Sequence, residues 1–128
     1  MLIVGVGGAG CRIVDNLAAV AQTGPVFAAI STDSKALAGC RIATRLKVGA
    51  TRDGVFGTGG NPEAGSDAAE SSREQIERLF LDVDLAFVIA GLGGGTGSGA
   101  LPVVIDVARG RGVMTLAVVT MPFPFEGP

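Results

Sequence analysis

The sequence predicts an α/β domain built on a doubly wound, mostly parallel sheet, and three observations carry that expectation. Short apolar runs alternate with stretches of helical spacing along the whole chain. Glycine is abundant, 21 of 128 residues, and it clusters at the ends of these segments without a linker or collagen period, so it serves loop geometry. Finally, 48% of the residues are hydrophobic and mean hydropathy is positive, enough to bury a sheet under helices within a single domain.

The elements read in order. Leu2 to Val6 is a short apolar strand. After the glycines, Ile13, Val14, Leu17, Ala18 and Ala21 recur at helical spacing, so a helix runs to about Gln22 and stops before Gly24-Pro25. Val26 to Ile30 is the second strand, Asp33 to Ala38 a short helical turn, and Ile42 to Val48 a third strand with less regular alternation. Gly49 to Gly60 is a glycine-rich loop closed by Asn61-Pro62-Glu63, which supplies an N-cap, a proline for the first helical position and an acid in the first turn. The helix begun there carries Ala69, Ser72, Ile76, Leu79 and Phe80 on one face, with Glu70, Glu74 and Arg78 on the wet face. Leu85 to Ala90 reads as a central strand buried on both faces. Gly91 to Gly99 is a second glycine loop, followed by a helix with Leu101, Val104, Ile105 and Ala108 that ends at Arg109-Gly110-Arg111-Gly112. Val113 to Thr120 is the last strand, and the three prolines of Met121 to Pro128 exclude regular structure there.

Composition narrows the function classes. A net charge of −2 without any run of Lys or Arg leaves no electrostatic footprint for nucleic acid or an anionic membrane, so neither partner is expected. The start has no charged leader, and the run Leu85 to Ala90 is far shorter than the roughly 20 residues of a membrane helix, so no membrane insertion and a cytoplasmic location are expected. Cys11 and Cys40 are too few for a disulfide framework, and no histidine completes a zinc site or a His-dependent triad.

Chemistry is concentrated in the glycine loops. Between a strand and a helix N-terminus, glycines let backbone N–H groups approach an anion closely, with the helix dipole adding attraction. Gly5-Val6-Gly7-Gly8-Ala9-Gly10 matches the G-x-G-x-x-G dinucleotide fingerprint, and Asp33 follows the second strand where such a fold holds ribose hydroxyls. An NAD-binding domain of an oxidoreductase is therefore one reading. Gly93-Gly94-Gly95-Thr96-Gly97-Ser98-Gly99 is a second anion cradle that a dinucleotide fold does not need, and it favours a different nucleotide. The chain lacks the Walker A lysine of an ordinary P-loop.

The second loop resembles the GGGTG(T/S)G signature of the FtsZ/tubulin family of GTPases, and the match extends through Ala100 to Val104 and on to Pro122-Phe123-Pro124-Phe125-Glu126-Gly127. Gly5 to Gly10, Thr32-Asp33 with Ala36-Leu37, and Thr51-Arg52 through Asn61-Pro62-Glu63 resemble the family's first three loops, in order, so the resemblance covers essentially the whole chain and lies nearest the FtsZ branch. It implies a Rossmann-like GTPase domain that binds GTP or GDP with Mg²⁺. Gly7, Gly8, Ala9, Gly10 and the loop of Gly94, Gly95, Thr96, Gly97 and Ser98 would hold the phosphates. Gly57, Gly59 and Gly60 would sense the γ-phosphate, Glu126 would contact the ribose, and Thr96 and Asp33 would meet the metal. It further implies a head-to-tail homo-oligomer for the full-length protein, whose second domain, with the acidic loop that completes the neighbour's site, would lie beyond residue 128. Residues 1–128 would then be one partial nucleotide-binding lobe that binds but hydrolyses negligibly alone; an interaction module without nucleotide is the other alternative. Three features depart from the family pattern. Arg12 stands where FtsZ usually has Asn, and reads either as a charge near the phosphates or as a solvent-facing helix residue; Cys11 replaces a small residue; and the third loop, with Asp53 and Phe56, is longer.

Overall fold

The computed structural model describes residues 1–21, 24–32, 34–48, 69–91 and 95–120. Among the described residues nine elements follow one another: β1 (Leu2–Val6), α1 (Gly7–Val20), β2 (Val26–Ser31), α2 (Ser34–Ala38), β3 (Thr44–Lys47), α3 (Arg73–Leu79), β4 (Leu85–Gly91), α4 (Gly95–Gly110) and β5 (Met114–Thr120). The strands form one five-stranded sheet in the order β3-β2-β1-β4-β5, and every adjacent pair is parallel. The predicted α/β class and winding are thus found, and β1 matches its expected bounds. The glycine-rich loop of 49–60, the helix start at Asn61 and the tail of 121–128 lie outside the described residues.

Period-2 alternation decides which helix each strand residue meets. Leu2, Val4 and Val6 of β1, Ala28 and Ile30 of β2, and Ala86, Val88 and Ala90 of β4 share one buried cluster with Ile76 and Phe80 around α3 and Ala100, Val104 and Ala108 of α4. The opposite face carries Ile3, Phe27 and Ile89, packed with Val14 and Ile42, and a small cluster of Cys11, Ala29, Leu37 and Cys40 lies between α1 and α2. Burying strands on both faces in this way explains why β1 and β4 read as continuous apolar runs.

Four local differences from the sequence reading have physical causes. The third strand is shorter than Ile42 to Val48 because only Thr44 to Lys47 pairs with Ala28 to Ser31. The helix leading into α3 is broken at Ser72, where the backbone turns (φ −113°, ψ 22°) while the buried face of Ala69, Ser72, Ile76 and Phe80 is kept. Leu17 and Ala21, which share the helical spacing of α1, are exposed, since α1 buries Gly7, Gly10, Cys11 and Val14 instead. Finally, β5 is an edge strand that exposes Met114 (68%), Leu116 (47%) and Val118 (44%), side chains a covered parallel strand would bury. The end of α4 is as expected: Gly112 takes φ +78°, which turns the chain so that Val113 N–H reaches the Ala108 carbonyl.

Candidate functional site

The strand order places a topological switch between β1 and β4. From β1 the chain builds β2 and β3 on one side and then crosses to β4 and β5 on the other. In open parallel sheets the crevice outside the carboxyl ends of the strands at such a switch is where ligands bind. The starts of α1 and α4 follow these two strands, and Val6 of β1 is in register with Ala90 of β4.

The first turn is built from glycines with distinct duties. A Cβ on Gly5 would lie 2.3 Å from the Gly10 carbonyl oxygen, and one on Gly10 would lie 2.4 Å from the Ile89 carbonyl oxygen, so these two glycines let α1 start hard against β1 and β4. Gly7 has φ +79°, a left-handed conformation that reverses the chain within one residue. Gly8 is exposed, and a Cβ there would meet nothing within 4 Å. The N-cap residue of α1 is Val6, which has no capping side chain, and the first turn holds no acidic residue. Among the described residues no side chain caps the first N–H groups of α1 and no acid in its first turn offsets the positive end of the helix dipole, which is the electrostatic setting for an anion.

The second cradle approaches the first through Gly91. A Cβ at Gly91 would lie 2.6 Å from the Ala9 Cβ and 3.2 Å from the Thr120 hydroxyl oxygen, so the end of β4 touches the first turn of α1 and the end of β5. Helix α4 then begins at Gly95, with Thr96, Gly97 and Ser98 in its first turn and no acid there. Two helix N-termini thus open beside one another on the same crevice.

One turn along α1, Arg12 is exposed and makes no hydrogen bond or ion pair among the described residues. Together with Gly8, Cys11, Asp15, Lys35, Gly39 and Cys40 it lines a cleft of about 360 Å³ between α1 and the α2 segment. At the far end of the cleft, Asp15 accepts from the Arg41 backbone N–H (2.8 Å) and guanidinium (3.3 Å), and these bonds hold its carboxyl below the usual range. Arg45 caps the end of α2 by donating to the carbonyls of Leu37 and Cys40. A larger cavity of about 1010 Å³ is lined by Lys47, by residues 70–75 and by Arg78, a wall of mixed charge in which Arg73 is already paired with Glu70 and Asp106.

The structure places Gly7, Gly8, Ala9 and Gly10 at the start of α1 after β1, Gly95, Thr96, Gly97 and Ser98 at the start of α4 after β4, and Arg12 at the cleft between α1 and the α2 segment. The predicted Asp33, Gly57, Gly59, Gly60, Gly94 and Glu126 lie outside the described residues, and with them the carboxylate of the expected metal site. Sequence reasoning placed Gly91 at the head of the second glycine loop, whereas the structure makes it the last residue of β4, and it gave no role to Lys35 or Thr120. A glycine closing an otherwise apolar strand was the available signal for Gly91, whereas nothing local marked Lys35 or Thr120.

Comparison with known proteins agrees with this geometry. The family model described as "Tubulin/FtsZ family, GTPase domain" matches residues 1–128. The cell division protein FtsZ of Azotobacter vinelandii is 44% identical over 125 residues, a match that covers 98% of this chain and 32% of that protein. Among solved structures, an empty FtsZ dimer from M. jannaschii superposes with a TM-score of 0.91 at 39% identity, covering 98% of this chain and 37% of its own. CetZ from Methanosaeta thermophila gives 0.81 at 29% identity, covering 98% and 37% respectively. The chain spans about a third of the length of the relatives it matches. With its described sheet and the family match in agreement, this chain belongs to the tubulin/FtsZ family and has the fold of that family's GTPase domain.

Proposed function

We propose that this chain binds GTP and GDP at the crevice between β1 and β4, as the nucleotide-binding part of a filament-forming GTPase that works in the cytoplasm. The single observation that supports this most is the pair of helix starts at the switch point, with the N-terminus of α1 left without a capping side chain and Gly8 open in front of it. Backbone N–H groups of Gly7 to Gly10 and of the turn from Gly94 to Ser98 hold the phosphates, and Arg12 adds a charge beside them. Gly57, Gly59 and Gly60 are the γ-phosphate sensor and Glu126 the ribose contact.

The donor set proposed for the metal, the Thr96 hydroxyl and the Asp33 carboxylate, consists of hard oxygen ligands of the kind Mg²⁺ takes together with phosphate oxygens. When bound there, the ion neutralises phosphate charge. The chain's own residues position the polyphosphate and supply N–H donors to it. Orienting the attacking water is the remaining requirement for hydrolysis, and it is assigned to the neighbouring subunit of a head-to-tail filament, as part of a domain beyond residue 128. The 128 residues alone thus bind nucleotide, hydrolyse it negligibly and form no filaments.

Calorimetric titration with GDP, GTP and NAD, with and without Mg²⁺, tests the binding. One guanine nucleotide per chain is expected, with no competition by NAD. Binding of NAD in preference to guanine nucleotides would favour the oxidoreductase reading, and no binding of either would favour an interaction module. GTP turnover that rises with chain concentration would show that copies complete the site in trans and would overturn the negligible hydrolysis proposed here.

A further inference from the structure

We propose that Cys11 and Cys40 are a redox pair, joined on oxidation by a disulfide that crosses the cleft between α1 and the segment after α2. Nothing in the proposed nucleotide chemistry uses either thiol. Both belong to one small buried cluster with Ala29 and Leu37. The Cys40 thiol donates to the Cys11 carbonyl oxygen at 3.8 Å, across 29 residues of sequence. A disulfide needs converging Cβ atoms on Cα positions within about 7 Å, and a Cys40 sulfur held against the Cys11 backbone within one buried cluster starts close to that arrangement. The Cys11 thiol is held in place by the Ile30 carbonyl at 3.4 Å and the Gly5 carbonyl at 3.7 Å. Both sulfurs are nearly inaccessible from bulk solvent, yet both residues line the cleft of about 360 Å³, which admits a small reagent.

The order of reaction follows from the surroundings. Burial pushes the Cys11 thiol up to about 12, with Cys40 adding to the rise. Burial and then Asp15 also push the Cys40 thiol up, but the Arg45 charge and the hydrogen bond from Cys11 pull it back. Cys40, the less buried of the two thiols, meets the reagent first and is the attacking sulfur. With a small organic disulfide as oxidant, the Cys40 thiolate attacks one of its sulfurs, that S–S bond breaks, and the departing thiolate takes up a proton. Cys11 then gives up its proton and displaces the second half from Cys40. The net change moves two hydrogens from the protein thiols to two released small thiols and leaves one Cys11–Cys40 bond.

The bridge staples the first turns of α1 to the end of α2, and narrows the cleft that Gly8, Arg12 and Lys35 share. That consequence rests on the nucleotide reading above: the bridged chain should bind GDP about tenfold more weakly, and bound GDP should slow bridging.

The test is exposure of the native chain to 2-hydroxyethyl disulfide, followed by acid quench, alkylation and peptide mapping by mass spectrometry, with Cys11→Ala and Cys40→Ala in parallel. The expected result is a linked pair of peptides containing residues 11 and 40, a mass loss of about 2 Da, reversal by dithiothreitol, and no link in either variant. Thiols that react only after unfolding, or a stable single adduct without a link, would overturn the proposal. If the chain binds no GDP, the peptide map still decides the bridge, and only the nucleotide reading falls.

Discussion

The start of α1 after β1 and the end of β4 lie side by side at the sheet's carboxyl edge, yet their glycines work differently. In the first turn, Gly5 and Gly10 are needed because other backbone occupies the space a side chain would take, at 2.3 Å and 2.4 Å, whereas Gly8 faces open space. At the second, Gly91 is the packing residue, set against Ala9 and Thr120, and the helix start from Gly95 to Ser98 follows it. A glycine-rich motif is therefore two interleaved sets: residues that let the sheet and helix come together, and residues that leave room for a ligand. Counting glycines does not separate these sets, but the direction of the missing Cβ does.

Substitutions sort accordingly. The largest effect is expected for Gly10→Val, whose side chain would be driven into the Ile89 carbonyl; overpacking against backbone should cost about 3 kcal/mol or more and yield little folded protein, read by chemical denaturation and near-ultraviolet circular dichroism. Gly8→Val should leave the fold intact and remove most GDP binding, because the side chain enters space where nothing else stands. Loss of the fold in Gly8→Val, or retained affinity, would erase the distinction between the two sets. Thr96→Ala is milder, expected to weaken binding by about 1–2 kcal/mol, the usual loss of one hydrogen bond to a charged group, measured by calorimetry.

The smallest effect concerns stability away from the crevice. The Asp15 carboxyl is held below its ordinary range chiefly by the Arg41 backbone N–H, so its folded pKa is depressed. Its contribution is fully present above the unfolded carboxylate pKa of about 4 and is lost as pH falls through the lower folded value. Asp15→Asn should therefore melt slightly earlier than the parent at neutral pH, and the two melting curves should converge in acid. A gap that widened in acid would contradict this account.

Most of the fold was legible because local signals agreed with the tertiary outcome. Strands β1 and β4 are buried on both faces and read as unbroken apolar runs, while Gly24 and Gly112, both with positive φ, mark where elements end. What escaped reading depended on neighbours distant in sequence. The length of β3 is set by its pairing with β2, the exposure of Leu17 by which residues of α1 face the sheet, and the bareness of β5 by its place at the edge. For the site, the glycines and Arg12 could be named from their order along the chain. The cleft shared by Gly8, Arg12, Lys35 and Cys40 could not, since it exists only once α2 lies beside α1.

Two helix starts at one crevice are proposed to hold a guanine nucleotide through backbone N–H groups. Amide proton and nitrogen chemical shifts, followed residue by residue as GDP is added, test it most directly. The account predicts that the largest changes fall together on Gly7 to Gly10 and on Gly95 to Ser98, saturate at one GDP per chain, and spare β5. Changes confined to the α1 turn, or centred on the cavity beside Lys47 and α3, would contradict it.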